Sequence, residues 1–265
     1  MNALIEKALG RPSLYCTLQN AWFGLRGHAI RLRRQGDLFE LVAPGQPGSI
    51  SLVSPIRHYK YSAGIRKRLD RLARIYFLEQ VPLTSGDVVI DCGANIGEIG
   101  MWLSTRTPDL RYHAVEPGEA EVRAIARNVP DAMIERMALW NEDGEREFFL
   151  ESGTADSSLI APTEGSSSRP IATARLDTFL KQRGIEKVRL LKVEAEGGEP
   201  EVIEGLGEAV AKVDYIAVDM GPERNGNENT VQQCVTMLTA RGFELQGFHH
   251  ARCTGLFARR DIGQA

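Results

Sequence analysis

The sequence predicts an α/β fold in which a mostly parallel sheet carries helices on both faces. From Asp87 onward, short apolar runs alternate with segments of helical periodicity, which is the pattern of βαβ units with right-handed crossovers. The first of these runs ends in a glycine-rich turn, where open sheets of this kind usually bind a ligand. The last two strand-like runs, residues 243–250 and 253–260, have no helix between them, so we expect a hairpin at one sheet edge.

Length, composition and charge limit the class of protein. A chain of 265 residues with 43% hydrophobic residues holds one main domain, with room for a small accessory region. The net charge of −3 gives no overall attraction to nucleic acid or anionic lipid, so neither is the expected partner, although this balance still allows local basic patches. No run approaches the ~20 apolar residues of a membrane span, and we expect a cytoplasmic protein.

The N-terminal part of the chain predicts a small accessory region of helix and strand. A short amphipathic helix comes first. Residues 28–54 then alternate apolar and polar residues between Gly and Pro breaks, which is typical of short antiparallel strands. Residues 64–78 have apolar residues at helical spacing with arginines mostly off that stripe, which predicts a basic amphipathic helix. We therefore assign residues 1–80 to an accessory region and residues 81–265 to the main domain.

The main domain is expected to alternate strands and helices in order along the chain. Two strand-like runs in the middle flank a Ser/Gly/Pro-rich loop at residues 165–170, which we expect to be mobile. The predicted strands of the sheet are residues 88–92, 111–117, 133–140, 188–196, 214–220, 243–250 and 253–260. The predicted helices between them include residues 101–106, 119–129, 200–210 and 229–243.

The stretch VVIDCGANIGEIG at residues 88–100 is the first candidate binding site. Gly93 and Gly97 bracket a tight turn between strand and helix, where glycine permits unusual backbone angles and close approach of a ligand. Glu116 ends the next strand about twenty residues past Gly97, placed to accept hydrogen bonds from both hydroxyls of a ribose. The alternative is that the glycines serve only the turn and that Glu116 only caps a helix.

Two cofactor classes fit a turn of this kind. A dinucleotide site usually reads GxGxxG, because the pyrophosphate must approach the backbone at a helix N-terminus. Here the spacing is GxxxG, with Asp91 directly upstream and Asn95 inside the turn. An acid in this place repels a pyrophosphate but suits a ligand with an ammonium and a sulfonium, which S-adenosylmethionine carries. A nicotinamide-dependent oxidoreductase is kept as the alternative.

Six segments resemble motifs of the FkbM family of S-adenosylmethionine-dependent methyltransferases, over most of the chain from about Tyr61. The most specific is LLKVEAEGGEPEVIEG at residues 190–205, which resembles the family's KIDVEGxE motif. The others are DCGANIG at residues 91–97, HAVEP at 113–117, ALWNEDG at 138–144, and the pair SSL at 157–159 and LDTFL at 176–180.

This resemblance implies a Rossmann-like, seven-stranded class I methyltransferase sheet from about Val81 to Arg260. It also implies an O-methyltransferase whose cofactor is S-adenosylmethionine and whose acceptor is often a sugar hydroxyl in a glycan, glycolipid or secondary metabolite. The implied cofactor contacts are Asp91, Gly93, Ala94, Asn95 and Gly97 for the methionine end, Glu116 for the ribose, and Leu139, Trp140 and Asn141 for the adenine.

Three ionisable residues, Lys192, Glu194 and Glu196, alternate along the strand predicted at residues 188–196 and should share one face. Parallel strands are normally apolar on both faces, so these groups must be paired or must open onto a polar site. We predict them as catalytic residues, with Glu194 as the first candidate and Glu196 as the second for the base that takes a proton from an acceptor hydroxyl. The alternative is an internal ion-pair network in which Lys192 neutralises Glu194. The family usually has aspartate at the position of Glu194. The extra methylene of glutamate moves the carboxylate by roughly an ångström, enough to alter catalytic geometry.

Other features of the sequence leave the acceptor open. Arg66, Arg71 and Arg74 of the basic helix suit a phosphate-bearing acceptor, with a solvated helix face as the alternative. The acids and histidines show no diagnostic spacing for a metal site, so none is predicted. A noncatalytic S-adenosylmethionine-binding protein is a further alternative. Four more residues are expected to be structural or solvated: Asp219, His58, His249 and His250.

Overall fold

The computed structural model describes residues 10–45, 47–150, 159–160, 167–224 and 228–262. The helices are α1 (Pro12–Leu25), α2 (Ile65–Ile75), α3 (Glu98–Ser104), α4 (Glu119–Asn128), α5 (Leu176–Arg183), α6 (Glu199–Glu204) and α7 (Val231–Ala240). The strands are β1 (Arg31–Gln35), β2 (Leu38–Val42), β3 (Ser49–Leu52), β4 (Val88–Cys92), β5 (Arg111–Val115), β6 (Met133–Glu135), β7 (Ala138–Leu139), β8 (Gly144–Leu150), β9 (Ser167–Ala174), β10 (Val188–Val193), β11 (Val213–Asp219), β12 (Pro222–Arg224), β13 (Glu228–Asn229), β14 (Phe243–His249) and β15 (Thr254–Arg259).

The central sheet has seven strands in the order β14-β15-β11-β10-β4-β5-β6. Strands β11, β10, β4, β5 and β6 are parallel neighbours, and β15 runs antiparallel to both β11 and β14. This confirms the predicted α/β fold and the closing hairpin. The chain leaves β4 on one side toward β5 and later returns on its other side as β10, so the carboxyl ends of β4 and β10 form the crevice where such sheets bind ligands.

The two faces of the sheet are covered by different elements. One buried cluster joins α2, α3 and α4 to the side chains of Val89 and Leu190, and it includes apolar residues of α1 and of the sheet β1-β2-β3. The other cluster packs α5, α6 and α7 against Ile90 and Leu191. The apolar sequence of β4, buried at all five positions, is therefore the result of helices on both faces.

A side chain of α4, Asn128, ties the N-terminal sheet to the glycine turn. Asn128 accepts a hydrogen bond from the backbone N–H of Ser51 at 2.7 Å and donates one to the carbonyl of the same residue at 3.0 Å. Its amide also donates to the carbonyl of Ile96 in the glycine turn at 2.8 Å. One hydrophobic core also includes residues from both sides of position 80. The predicted boundary between an accessory region and the main domain at this position stays a prediction.

Several predicted elements are wrong in their extent. The run at residues 133–140 is two strands, because a turn at Glu135 sends β7 into a separate sheet of order β7-β9-β8. The helix expected at 200–210 ends at Glu204, and a short 3₁₀ helix, Gly207–Lys212, follows. Between them lies Gly205, where a side chain would lie 2.0 Å from the carbonyl oxygen of Trp140.

Two other predictions fall partly outside the described residues. The first two residues of the loop expected at 165–170 lie outside the described residues. Residues 167–170 belong to β9 and pair with β8. The first helix was expected at the start of the chain, and the described helix α1 begins at Pro12. None of the described helices combines the length and apolar character that crossing a membrane requires.

Candidate functional site

A pocket opens at the carboxyl ends of β4, β5 and β10, with about 730 Å³ of open space counting its mouth. The apolar part of the wall includes Val115, Leu139, Trp140 and Phe148. Four acids also line the pocket: Glu116, Glu121, Glu194 and Glu196. Within the described part of the chain, no lysine, arginine or histidine lines it.

The glycine turn between β4 and α3 forms the floor of this pocket. Gly93, Asn95 and Gly97 all have positive φ, at 74°, 50° and 84°. The N–H groups of Gly93 and Ala94 both donate to the carbonyl of Val115, at 3.0 and 3.2 Å. Gly93 and Asn95 line the pocket, whereas the predicted contacts Ala94 and Gly97 lie behind its wall.

The close approach that requires Gly93 is an approach of the protein to itself. A Cβ at this position would lie 1.9 Å from the carbonyl oxygen of Glu194, which follows β10. Gly97 is close to α4 in the same way, because its Cβ would lie 3.1 Å from a methyl of Val129. These two glycines hold the turn against the neighbouring strand end and helix, and this packing reason is additional to the predicted ligand contact.

Asp91 lies below the turn, away from the pocket. Its side chain is fully buried, its carboxylate accepts a 2.6 Å hydrogen bond from the Tyr112 hydroxyl, and it forms an ion pair with Lys192 at 3.0 Å. It is not part of the described pocket wall. These contacts fix the floor of the pocket, and the predicted contact of Asp91 with the methionine end of the cofactor stays a prediction.

Lys192 is the centre of this buried network. Its ammonium lies 3.0 Å from Asp91 and 3.1 Å from Glu194, and it donates to the carbonyl of Gly93 at 2.8 Å. Burial lowers the pKa of this amine, but the two carboxylates together hold it above its ordinary value. Because the ammonium stays charged and does not reach the pocket, the internal ion-pair network that the sequence left as an alternative describes Lys192 better than a catalytic role.

Glu116 stands at the end of β5, in the pocket wall. One carboxylate oxygen accepts from the backbone N–H of Asn95 and the other from that of Gly118, both at 2.8 Å. Burial raises the pKa of this carboxyl to about 8, although both hydrogen bonds oppose the rise. The two N–H donors fix its orientation, and each oxygen keeps a lone pair for a further donor.

The segment after β6 gives the third wall. Leu139 and Trp140 are buried and line the pocket, while the side-chain amide of Asn141 donates to Glu204 at 2.8 Å and lies outside the lining. The ring of Trp140 packs on Gly198, whose Cβ would lie 2.5 Å from it. The indole N–H is buried and has no partner among the described residues.

The strand expected at residues 188–196 ends at Val193. Glu196 and Gly197 have positive φ, at 49° and 92°, and the chain turns there instead of continuing the pairing. The buried carboxylate of Glu199 holds this turn by accepting from the N–H groups of Ala195 and Gly197, at 2.9 and 3.1 Å. The predicted common strand face of Lys192, Glu194 and Glu196 is therefore wrong, although Lys192 and Glu194 still meet and both glutamates line the pocket.

Glu194 joins the pocket to a second polar cluster. Its side chain is 28% exposed. Burial acts to raise its pKa, but the ion pair with Lys192 and a hydrogen bond from the Tyr76 hydroxyl hold the pKa below its usual value. The same hydroxyl lies 3.4 Å from the buried carboxylate of Asp219, which Arg252 pairs at 2.9 Å. Glu194 is thus an ionised carboxylate at the edge of the pocket.

Sequence reasoning missed Glu223, in the short strand β12 that follows β11. One of its carboxylate oxygens is buried without a hydrogen-bond partner among the described residues. Burial raises its pKa to about 8, and the nearby acids Asp219, Glu199 and Glu194 add to the rise while Arg252 opposes it. The available signal was position, because Glu223 follows the carboxyl end of a parallel strand next to the site.

The remaining candidates have structural surroundings. His58 lies 2.8 Å from the carbonyl of Pro55 and packs its ring against Phe23. His249 and His250 lie at the end of β14 and in the turn after it. In the basic helix α2, Arg66 pairs with Asp70 at 3.2 Å, while Arg71 and Arg74 are exposed. Within the described ranges, no group of three or more His, Cys, Asp and Glu is arranged to hold a metal ion.

The pocket fits a cationic nucleoside better than a dinucleotide. Acidic side chains on its wall attract an ammonium and a sulfonium and repel a pyrophosphate. Glu116 offers acceptor oxygens to a ribose, and the apolar side chains of Val115, Leu139 and Phe148 offer a surface for a base. These residues suit S-adenosylmethionine, and its predicted orientation in the pocket stays a prediction.

Comparison with known proteins agrees with this geometry. The AMB antimetabolite synthetase AmbE of Pseudomonas aeruginosa is 24% identical over 64% of this chain and 10% of its own length. The 31-O-demethyl-FK506 methyltransferase FkbM of Streptomyces tacrolimicus is 25% identical over 72% of this chain and 84% of its own length. The hexuronic acid methyltransferase AglP of Haloferax volcanii is 28% identical over 51% of this chain and 56% of its own length. The chain thus spans only a tenth of the first relative and just over half of the third.

The model of the Methyltransferase FkbM domain family matches residues 91–245, from the glycine turn to β14. This segment contains every side chain that lines the pocket. Since it is more than half of the 265 residues, the chain belongs to the FkbM family of methyltransferases, and its cofactor is S-adenosylmethionine, as the sequence predicted.

Proposed function

We propose that this protein transfers a methyl group from S-adenosylmethionine to a hydroxyl oxygen of a sugar-containing acceptor. The observation that carries the proposal is the ionised carboxylate of Glu194 at the edge of the pocket, beside the Tyr76 hydroxyl and Lys192. The names of two relatives support the choice of acceptor, because one acts on hexuronic acid and the other on an O-demethylated natural product.

The bound cofactor supplies an electrophilic methyl group on a positively charged sulfur. A sugar hydroxyl barely ionises at neutral pH and reacts faster when a base removes its proton as the new bond forms. Glu194 is ionised at neutral pH, so it can accept that proton. Lys192 and the Tyr76 hydroxyl fix its orientation, which keeps the base aligned with the reacting oxygen.

The acids around Glu194 hold their protons more tightly than Glu194 does. Asp219 and Glu223 both have raised pKa values, and Glu194 contributes to each rise. A carboxyl with a pKa of about 8, as in Glu223, holds a proton more firmly at neutral pH than Glu194 does. Glu223 is therefore already protonated at neutral pH, and the proton that Glu194 accepts leaves to solvent through its 28% exposed side chain.

Acceptor screening with methyl-labelled S-adenosylmethionine tests the proposal. Hexuronosides, hexosides and their nucleotide-linked forms are incubated with the protein, and S-adenosylhomocysteine is quantified. The labelled product should resist mild alkali, because hydroxyl methylation gives an ether. A product that alkali hydrolyses would show carboxyl methylation and contradict the proposal. Tight binding of S-adenosylhomocysteine without turnover on any acceptor would favour a noncatalytic binding protein.

A variant of Glu116 tests the ribose contact. Glu116→Ala should weaken binding of S-adenosylhomocysteine about 10- to 100-fold, since it removes two hydrogen bonds to the ribose of about 0.5–1.5 kcal/mol each and ~1.4 kcal/mol is tenfold in affinity. Isothermal titration calorimetry measures the change. The matched control is Glu119→Ala, an exposed glutamate in the first turn of α4 that pairs with Arg123. Parent-like affinity of Glu116→Ala would remove Glu116 from the ribose site.

Variants of Glu194 test the base. Glu194→Gln should lower kcat about 10²- to 10⁴-fold on an identified acceptor, the usual contribution of a positioned base. Glu194→Asp keeps the charge and carries the family's usual residue, so it should retain far more activity than Glu194→Gln. Single-turnover rates of methyl transfer measure both. Glu196→Gln is the control, and a loss confined to that variant would move the base to Glu196.

A further inference from the structure

We propose that helix α1 docks the protein on the surface of an anionic lipid bilayer. The outer face of α1 is formed by Leu14, Leu18, Trp22 and Leu25, whose exposed fractions are 47%, 55%, 46% and 88%. Their spacing of four, four and three residues places them on one side of the helix. They are four of the seven exposed large hydrophobic residues in the described part of the chain, so the apolar surface is concentrated on this face.

The other side of α1 is fixed against the protein. Tyr15, Cys16 and Phe23 are buried. The side-chain amide of Asn20 donates to the carbonyl of Leu32 at 2.8 Å and accepts from the N–H of the same residue at 2.7 Å, as a neighbouring strand would. Because these contacts fix the rotation of the helix, the apolar face cannot turn inward and stays available at the surface.

The charges around this face favour lipid over a protein partner. The sequence of α1 contains no charged residue, while Arg11 precedes it and Arg26 follows it. The guanidinium of Arg26 lies 5.2 Å from the centre of the Trp22 ring. Leucines with a tryptophan on one face and arginines at the borders are typical of helices that lie in the interface of an anionic bilayer.

A second copy of the chain is a poorer occupant. An antiparallel pair of α1 helices would bring Arg11 of each copy toward Arg26 of the other, so like charges would meet at both ends. The indole N–H of Trp22 is the one polar side-chain group among the four residues of this face, which is little to fix the register of a protein partner. A fluid apolar phase with anionic headgroups needs no such register and neutralises both arginines.

Tryptophan emission provides a direct test. The chain has three tryptophans, and Trp102 and Trp140 are each 4% exposed, so changes at the protein surface are reported by Trp22. Vesicles of phosphatidylcholine with phosphatidylglycerol should shift the emission to shorter wavelength and protect it from acrylamide. Phosphatidylcholine alone should do so less, and added salt should weaken the effect.

Vesicle co-sedimentation of surface variants completes the test. Leu18→Ser and Leu25→Ser should each reduce the vesicle-bound to free ratio about tenfold, the effect expected for one buried leucine of ~1.5 kcal/mol. Leu245→Ser is the matched control, a 45% exposed leucine on β14 whose loss should leave vesicle binding unchanged. All three variants should keep the parent's thermal midpoint and affinity for S-adenosylhomocysteine.

Two results would overturn the proposal. One is an emission spectrum that anionic vesicles leave unchanged. The other is a Trp22 already protected from acrylamide without vesicles, in a dimer that Leu18→Ser dissociates, which would assign the face to a second copy. Neither measurement depends on the methyl acceptor, so failure of the docking and failure of the proposed reaction are separate outcomes.

Discussion

Lys192→Met is expected to lower the free energy of unfolding by about 3–5 kcal/mol, the usual cost of breaking a buried ion pair by removing one partner. The side chain of Lys192 is 2% exposed and is the ion partner of both Asp91 and Glu194, at 3.0 and 3.1 Å. Methionine fills a similar volume but neutralises neither carboxylate. Urea denaturation of parent and variant measures the loss.

The pH dependence of this loss distinguishes charge from packing. Without the ammonium, burial should raise the pKa of Glu194, so the folded state of the variant should bind a proton on Glu194 more tightly than the unfolded chain does. The stability of the variant then falls as pH rises above the unfolded carboxyl pKa of about 4. The difference from the parent should therefore be small near pH 4 and grow toward pH 8.

The matched control for Lys192 is a lysine in an exposed pair. Lys212 lies 2.8 Å from Glu186, and the two side chains are 36% and 84% exposed. Lys212→Met should cost at most about 1 kcal/mol and show little change with pH. If Lys192→Met were equally mild at pH 8, the buried network would not be what holds the floor of the pocket.

The sequence predicted the sheet well because its strands are buried on both faces. The strand β4 reads VVIDC and is buried throughout, so its apolar run has only one explanation in a chain of this length. The closing hairpin was equally predictable from the sequence, since no helical segment separates β14 from β15. Both signals are local, and local burial patterns are what a single sequence records most directly.

The limits of the elements were harder to predict because distant residues set them. The end of β10 at Val193 depends on Glu199, whose carboxylate takes the N–H groups that a longer strand would have paired. The glycine that follows α6, Gly205, is required by the backbone of Trp140, more than sixty residues earlier. Neither contact can be recognised from the pattern of apolar and polar residues along the sequence.

The residues of the candidate site also fall into two groups, those whose position could be predicted from the sequence and those whose position could not. Glu116 and the glycine turn follow strand ends, so their position could be predicted from the topology alone. The topology could not predict that Asp91 and Lys192 lie outside the pocket, because their position depends on which side of the turn the buried ion pair occupies. Glu223 was missed because its importance comes from the three-dimensional cluster with Asp219 and Arg252.

Gly93→Ala is expected to lower the free energy of unfolding by about 2–4 kcal/mol, the sum of a left-handed backbone angle for alanine and overpacking. Gly93 has φ of +74°, and its new Cβ would lie 1.9 Å from the carbonyl oxygen of Glu194. That oxygen belongs to the backbone and cannot rotate away, so the turn or the end of β10 must move. Because both Asn95 and Glu194 line the pocket, affinity for S-adenosylhomocysteine should fall at least about tenfold.

Gly86→Ala separates the two causes of this loss. Gly86 has a similar φ of +84°, but its Cβ would meet nothing within 4 Å, so only the backbone cost of about 1–2 kcal/mol is expected. Urea denaturation and calorimetric titration of both variants give the comparison. If Gly93→Ala matched Gly86→Ala in stability and lost only ligand affinity, the ligand itself would be what requires glycine at residue 93. A larger loss of stability in Gly93→Ala would mean that the protein's own strand end requires it, and that the pocket floor is built by packing before any ligand binds.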